Sequence, residues 1–324
     1  MSKLHALSLE YEKTYSPLTI LSFGGGQDST TILYKLVFDA DFKARYAPGD
    51  LLVLMADTGN EHPETYSHVK NEIVPFCQEH GIEFLFIDNS MGYHGTSWQS
   101  LTQQWREGNK PTIGSLAYPK TCTHNLKLIP QYRYVEEWLP GKYNSVVNKG
   151  RKNNYVQFAK YYGVIRWLVG IAKGEESRVA DADKETALWK KQAVEVIYPL
   201  IEIGYDRQAC QDYMREVGKK IPMPSNCMYC PFASNHMEIL WLEKTYPDKF
   251  EEWIELEQAK LDAHKDADKN LGVSGRLHKE GDRKGQAFTL KDLLKEAKVK
   301  YPNVTLNQLN EYKWSHGHCV SSKY

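Results

Sequence analysis

The stretch from Leu21 to Thr30, LSFGGGQDST, constrains the fold of this chain more than any other. An apolar run, residues 17–21, comes before it, and apolar residues at helical spacing follow in residues 31–38. This order predicts a strand, a glycine turn and a helix. Three consecutive glycines allow backbone angles that other residues avoid and let a ligand come close. Asp28, Ser29 and Thr30 are residue types that cap a helix start, so the helix is predicted to begin there.

The start of this helix is a candidate phosphate site. Backbone N–H groups and the positive end of the helix dipole would both point into the turn. The spacing is not that of a Walker loop, because no Gly-Lys-Ser/Thr closes it, and it is not a dinucleotide G-x-G-x-x-G. A glycine-rich turn that binds nothing is the alternative interpretation.

These residues resemble S-G-G-x-D-S-S/T, the pyrophosphate loop (PP-loop) of the ATP pyrophosphatase or adenine nucleotide alpha hydrolase superfamily. Gly24 replaces the leading serine, and Ser22-Phe23 matches the branch of the phosphoadenylylsulfate (PAPS) reductases and their phage-borne relatives. The superfamily includes sulfate-activating enzymes, tRNA thiolases and DNA phosphorothioation ATPases. The resemblance implies ATP and Mg²⁺ as cofactors, with Asp28 and Ser29 in catalysis. The implied nucleotide-binding residues are Ser22, Phe23, Gly24, Gly25, Gly26, Gln27, Asp28, Ser29 and Thr30.

Strand and helix patterns alternate along the chain. Residues 51–56 are a continuous apolar run, residues 83–88, 166–172 and 194–201 are further predicted strands, and residues 40–50 are a predicted polar connector. The alternation predicts an α/β fold, a Rossmann-like parallel sheet of about five strands with helices on both faces. We expect residues 1–205 to form the nucleotide-binding domain and residues 206–324 a helical C-terminal region.

Two later segments resemble nucleotide-contacting parts of the same families. Asp57-Thr58-Gly59, at a predicted strand end, resembles the D-T-G-x-x-x-P-E-T segment that lies beside the adenosine. Gly170, Glu176, Ser177 and Arg178 resemble the G-I-R-x-x-E-S-x-R segment that closes over the phosphates, although Ala172 replaces its first arginine. The resemblance implies that Arg178 acts in catalysis. Ordinary strand-to-helix turns and charged loops are the alternatives.

Six cysteines supply candidate metal ligands. Cys227 and Cys230 form a C-x-x-C, whose thiolates can ligate one centre or act as a redox pair. Cys122, with Lys127 and Pro130, resembles the C-C-x-x-R-K-V-x-P stretch of reductases that carry an iron–sulfur cluster. Cys210 lies one predicted helix before the C-x-x-C. We predict that Cys122, Cys210, Cys227 and Cys230 hold a [4Fe-4S] cluster, with Zn²⁺ or unligated thiols as alternatives.

The other two cysteines are not predicted ligands. Cys77 lies among apolar residues late in a predicted helix and is assigned to the core. Cys319 is near the end of the sequence, where PAPS reductases carry a nucleophilic cysteine. The residues around it do not match their E-C-G-x-H pattern, so an inert thiol is favoured.

The charge pattern and composition limit the partners. The chain has 324 residues, with 41 basic and 41 acidic, so a nucleic acid would bind only a local patch. Lys149, Arg151 and Lys152 and the basic loop at residues 271–286 are candidates, with solvated surface as the alternative. No apolar run reaches the ~20 residues of a membrane span, and no signal-peptide core is seen at the N-terminus. A cytoplasmic protein without disulfides is therefore predicted.

Together these features predict an ATP pyrophosphatase coupled to sulfur transfer onto a nucleic acid, DNA or tRNA. The resemblance implies a cysteine desulfurase or another sulfur donor as a partner. A PAPS or adenylylsulfate reductase is the first alternative, although such reductases lose the Asp-Ser-Ser/Thr ending that Asp28-Ser29-Thr30 retain. A nucleotide-binding subunit without catalysis is the second.

Overall fold

A parallel β-sheet organises the N-terminal two thirds of the chain. The computed structural model describes residues 18–107 and 111–316. Its strands are β1 (Leu18–Ser22), β2 (Asp50–Ala56), β3 (Glu83–Ile87), β4 (Ile165–Val169) and β5 (Val194–Ile197), all parallel, in the order β3-β2-β1-β4-β5. The predicted α/β fold with a parallel sheet of about five strands is confirmed. Because β1 lies between β2 and β4, the strand order reverses there, and ligands are expected at that switch point.

Helices cover both faces of the sheet and form the C-terminal part. They are α1 (Gln27–Phe38), α2 (Ala40–Tyr46), α3 (Pro63–His68, continued by a π-helical turn Val69–Ile73 and by Val74–Glu79), α4 (Gln103–Arg106), α5 (a π-helical turn Thr123–Leu128 continued by Ile129–Lys142), α6 (Asn153–Tyr162), α7 (Leu188–Ala193), α8 (Pro199–Glu202), α9 (Arg207–Glu216), α10 (His236–Thr245), α11 (Pro247–Ala263), α12 (Leu290–Lys300) and α13 (Leu306–His316). Short 3₁₀ turns lie at Asn89–Met91, Glu176–Arg178, Ala182–Lys184 and Pro231–Ala233. None of the helices in these ranges is long and apolar enough to cross a membrane.

The apolar runs of the strands are explained by burial on both faces. Leu21 and Val53 point into one core cluster, with α1, α3 and α9. Ile20, Leu52 and Trp167 point into a second cluster on the opposite face, with α5 and α6. Alternate residues of a strand point to opposite faces, so a strand covered twice must be apolar throughout.

Three local predictions were wrong. Residues 40–46 are helical, because Asp39 accepts the N–H of Phe42 as an N-cap and Phe42 and Tyr46 are buried. The N-cap of α1 is Gly26, and Asp28 lies inside the first turn. The predicted strand at residues 194–201 stops at Ile197, since Pro199 begins α8.

The expected division near residue 205 stays a prediction, and α9 packs directly on α1.

A buried carboxylate ties together the C-terminal part. Glu257 of α11 is 1% exposed and accepts the N–H of Val273 at 2.7 Å and of Leu290 at 2.6 Å. Burial is the largest cause of the shift in the pKa of the Glu257 carboxyl, which it raises to about 7. A raised acid pKa means that the folded state holds the proton that the unfolded chain has released. The stability from this group is present below pH ~4.5 and is lost as the pH rises towards 7.

We therefore expect Glu257→Gln to lower the free energy of unfolding by about 1–3 kcal/mol at pH 5. A protonated carboxyl still offers an acceptor to both N–H groups. The NH₂ group of a glutamine would instead point at one of these two N–H groups, so that two donors would face each other. The variant should also lose less stability than the wild type between pH 5 and pH 7.5. Urea unfolding at both pH values measures this, with the exposed Glu255→Gln on the same helix as control. Equal midpoints for Glu257→Gln and the wild type would contradict the assignment.

Candidate functional site

An open crevice lies at the carboxyl ends of β1 and β4. Its position is the switch point of the sheet, where ligands of such folds bind. The predicted residues that line it are Ser22, Phe23, Gly24, Gly26, Gln27, Asp28, Ser29, Thr58, Gly170, Arg178, Cys122, Cys227 and Cys230. The predicted residues Gly25, Thr30, Asp57, Gly59, Glu176 and Cys210 are not among the lining residues.

The glycine loop, residues 24–26, is closely packed against the start of α3. Gly25 has φ +72°, and a Cβ there would lie 2.7 Å from Thr65 Cγ2, so a larger residue is excluded twice over. The Ser29 hydroxyl accepts the N–H of Gly24 at 3.1 Å and fixes the loop to the first turn of α1. The Thr30 hydroxyl lies 3.4 Å from His68 Nε2 on the core side, which explains why Thr30 does not reach the crevice.

Gly170 brings β4 against the start of α1. A Cβ at this position would lie 2.7 Å from the Ser29 backbone nitrogen and 3.0 Å from the Asp28 carbonyl carbon. Backbone atoms cannot move aside as the end of a flexible side chain can. The absence of a side chain therefore lets the helix start lie beside the end of β4.

Positive charge is concentrated in the crevice. Lys120, Lys127, Arg178 and Arg207 line it, with Asp28 as the carboxylate among the lining residues. Asp28 is 8% exposed and lies 3.6 Å from Arg207 Nη1. Glu175, which precedes the predicted Glu176, forms ion pairs with both Arg178 and Arg207. Glu61 also pairs with Lys127, so Lys127, Arg178 and Arg207 each have a carboxylate partner within the chain.

Arg207 was not predicted from the sequence. It is the first residue of α9, directly after the N-cap Asp206, and lies 179 positions beyond Asp28. A basic residue at a helix start is common and by itself indicates no site. Only the packing of α9 on α1 brings Arg207 to the crevice. The only local signal is its place directly after Asp206, a residue type that caps helix starts.

Two predicted nucleotide-binding residues hold turns. The Asp57 carboxylate accepts the Tyr66 hydroxyl at 2.7 Å and the N–H of Gly59 at 2.9 Å. The Glu176 carboxylate accepts the N–H of Gly174 at 2.9 Å, which lowers its pKa. Their contacts with a nucleotide stay predictions.

Thr58 and Cys227 are in contact where they line the crevice. Glu61, 3% exposed, accepts the Thr58 hydroxyl at 3.1 Å and pairs with Lys127 Nζ at 2.9 Å. The Cys227 thiol lies 3.4 Å from Thr58 Oγ1 and 3.7 Å from Glu61 Oε1. Burial raises the pKa of Cys227 well above its usual value, and the Glu61 charge adds to this effect.

Three of the four predicted cysteine ligands, Cys122, Cys227 and Cys230, line the same crevice as the glycine loop. Cys210 lies elsewhere, buried between α9 and α1, where its carbonyl accepts the Thr31 hydroxyl at 3.4 Å. Cys77 is in the core as predicted, and burial raises its pKa to about 12. Cys319 lies outside the described residues. Within residues 18–107 and 111–316, no three His, Cys, Asp or Glu side chains are grouped as a site for a metal ion.

In the two segments predicted as candidate nucleic-acid contacts, basic side chains have partners within the chain. Lys152 donates to the Tyr132 carbonyl at 2.8 Å and lies over the rings of Tyr155 and Trp189, and burial lowers its pKa to about 8. In the loop at residues 271–286, Arg276 pairs with Glu296 and Arg283 with Asp292. Neither segment lines the crevice.

No family model and no curated protein matches this chain. Among solved structures, the chain is similar to the U34-tRNA thiolase NcsA from Methanococcus maripaludis with its [4Fe-4S] cluster. The identity is 12%, the match covers 90% of this chain and 75% of that chain, and the TM-score is 0.39. This similarity is too distant to assign an activity.

Proposed function

We propose that this chain is a PP-loop ATP pyrophosphatase that adenylates an oxygen of a nucleic acid and thereby prepares it for sulfur transfer. The observation that carries the proposal is one crevice that combines a glycine loop, a helix start and four cationic side chains at the switch point of a parallel sheet. Such a crevice suits the phosphate chain of a nucleotide.

The glycine loop and the first turn of α1 would hold the β- and γ-phosphates. Arg178 and Arg207 would contact the α-phosphate and the bridging oxygen. Asp28 would position Arg207 and take part in holding Mg²⁺, whose other ligands come from the phosphates and water. Thr58 would lie towards the adenosine.

The first step is the attack of the acceptor oxygen on the α-phosphorus. A new P–O bond forms, the bond between the α-phosphorus and the bridging oxygen breaks, and pyrophosphate leaves. The negative charge that develops on pyrophosphate is stabilised by the loop N–H groups and the arginines. A sulfide-level nucleophile then attacks the acceptor carbon or phosphorus that bears the adenylated oxygen. The bond to sulfur forms, the bond between that atom and the oxygen breaks, and AMP leaves with the oxygen, so no change of oxidation state is needed.

The three thiols that line the crevice suit an iron–sulfur cluster. Thiolates of Cys122, Cys227 and Cys230 are the soft ligands that such clusters require. The same thiolates can ligate Zn²⁺, and the metal content of the purified protein decides between the two. A cluster bound by these cysteines would support sulfur transfer next to the activated oxygen.

One assay separates the functions. The purified protein is incubated with radiolabelled ATP, Mg²⁺ and either tRNA or duplex DNA, and then separately with PAPS and thioredoxin. Release of AMP and pyrophosphate, stimulated by one nucleic acid, supports the proposal. Release of sulfite from PAPS would show a reductase instead. Tight ATP binding with no turnover would point to a nucleotide-binding subunit.

We expect anaerobically reconstituted protein to be brown, to absorb near about 400 nm and to contain about four iron and four sulfide per chain. Replacing Cys122, Cys227 or Cys230 with serine should each lower the iron content by more than about half, because three ligands leave no reserve. Iron and sulfide assays measure this, with Cys77→Ala as the control.

Cys210→Ala tests the ligand set predicted from the sequence. Full iron content in this variant is expected from the position of Cys210 between α9 and α1. Loss of iron would restore Cys210 as a fourth ligand. Colourless wild-type protein with stoichiometric zinc would contradict the cluster altogether.

A further inference from the structure

A segment from the C-terminal part lies across the glycine loop. This segment, residues 222–226 (PMPSN), is here named the strap. The Gln27 side chain donates to the Pro222 carbonyl at 3.0 Å, and Pro224, Ser225 and Asn226 line the crevice. A Cβ at Gly26 would lie 2.6 Å from Ser225 Oγ and 3.0 Å from the Ser225 nitrogen. Only glycine in the loop allows the strap to come this close.

The strap is held at its C-terminal end by groups from two other elements. Lys313 of α13, 1% exposed, donates to Asn226 Oδ1 at 2.8 Å and to Glu238 Oε2 at 2.7 Å. The N–H of Met228, two residues further on, donates to the Asn60 carbonyl at 2.7 Å. A buried ammonium with two charge-assisted hydrogen bonds fixes its partners firmly. The strap is therefore a rigid part of the crevice wall.

Ser225 is the strap residue that faces the loop. Its hydroxyl lies close to both Gly24 and Gly26, at the loop that leads into α1. Within residues 18–107 and 111–316 this hydroxyl makes no hydrogen bond to another residue. A hydroxyl can donate to an anion while it remains uncharged. Its position suits a phosphate oxygen held by the loop.

We propose that Ser225 is a phosphate-binding residue, which the strap contributes to the glycine loop from nearly 200 positions away in the sequence. This inference rests on the proposed function, because it requires a phosphate chain in the crevice. The Ser225 hydroxyl donates to a phosphate oxygen, and Lys313, through Asn226, keeps the strap in the position that makes this contact. Lys313 is thus a positioning residue, whereas Ser225 touches the ligand.

The test compares wild type, Ser225→Ala and the control Ser67→Ala, an exposed serine of α3. Pyrophosphate, ATP and adenosine are each titrated by calorimetry. Loss of one hydrogen bond to a charged group should weaken pyrophosphate and ATP binding about tenfold in Ser225→Ala, and adenosine binding should not change. Ser67→Ala should bind all three as the wild type does. Ser225→Thr, which retains the hydroxyl, should recover part of the affinity.

Three outcomes would overturn the inference. Equal pyrophosphate affinities in wild type and Ser225→Ala would refute it and leave the proposed function intact. Tighter binding by Ser225→Ala would refute it as well, because the serine would then be a plug that the phosphates must displace. A wild type that binds neither ATP nor pyrophosphate would refute the proposed function together with the inference.

Discussion

Replacement of Asp28 by asparagine is expected to slow pyrophosphate release from ATP by at least about 100-fold. The carboxylate is 8% exposed, lines the crevice and lies 3.6 Å from Arg207 Nη1. Asparagine keeps the shape of the side chain and removes its charge. Among the residues that the structure describes, Arg207 then retains Glu175 as its ionic partner, and Mg²⁺ loses the carboxylate proposed to hold it. Both effects act on the charge that develops as pyrophosphate leaves.

The measurement is the initial rate of pyrophosphate release at saturating ATP, together with the thermal unfolding midpoint. Asp212→Asn is the matched control, because Asp212 lies on α9 like Arg207 but is exposed and pairs with Arg215. The control should keep the wild-type rate within about twofold. An Asp28→Asn variant that folds normally and keeps a third of the rate would remove Asp28 from the catalytic site.

Gly170→Ala is expected to weaken the binding of a non-hydrolysable ATP analogue by at least about 100-fold. The new Cβ would lie 2.7 Å from the Ser29 nitrogen, so β4 and the start of α1 must separate. Overpacking of this kind costs about 1–3 kcal/mol of stability. The larger effect falls on binding, because the loop N–H groups act together only while the start of α1 keeps its place.

Equilibrium dialysis measures the affinity, and urea unfolding measures the stability. Gly141→Ala is the control, since a Cβ at Gly141 meets no atom within 4 Å and alanine favours the helix α5. It should leave the affinity unchanged and preserve or raise the stability. An unaltered affinity in Gly170→Ala would mean that the nucleotide does not bind at the start of α1.

Two features of the site were predicted correctly because they are local. The glycine loop follows β1 directly, so its place at the carboxyl end of a strand follows from chain order alone. Thr58 and Gly170 follow β2 and β4 in the same way, and parallel strands end at one edge of the sheet. The misassigned residues 40–46 show the limit of this reasoning. Their helix depends on the burial of Phe42 and Tyr46 against a core that the local sequence does not reveal.

The sequence by itself determined the strands, their parallel arrangement and the position of the glycine loop, because apolar runs and glycine turns act over a few residues. The tertiary structure alone decided which distant groups meet that loop. It brought Arg207 and Ser225 to the crevice, and it placed Cys210 away from the other three cysteines. These contacts depend on how α9 and the C-terminal helices pack on the sheet. That packing is set by the shapes of whole apolar faces, and no spacing of residues along the chain encodes it.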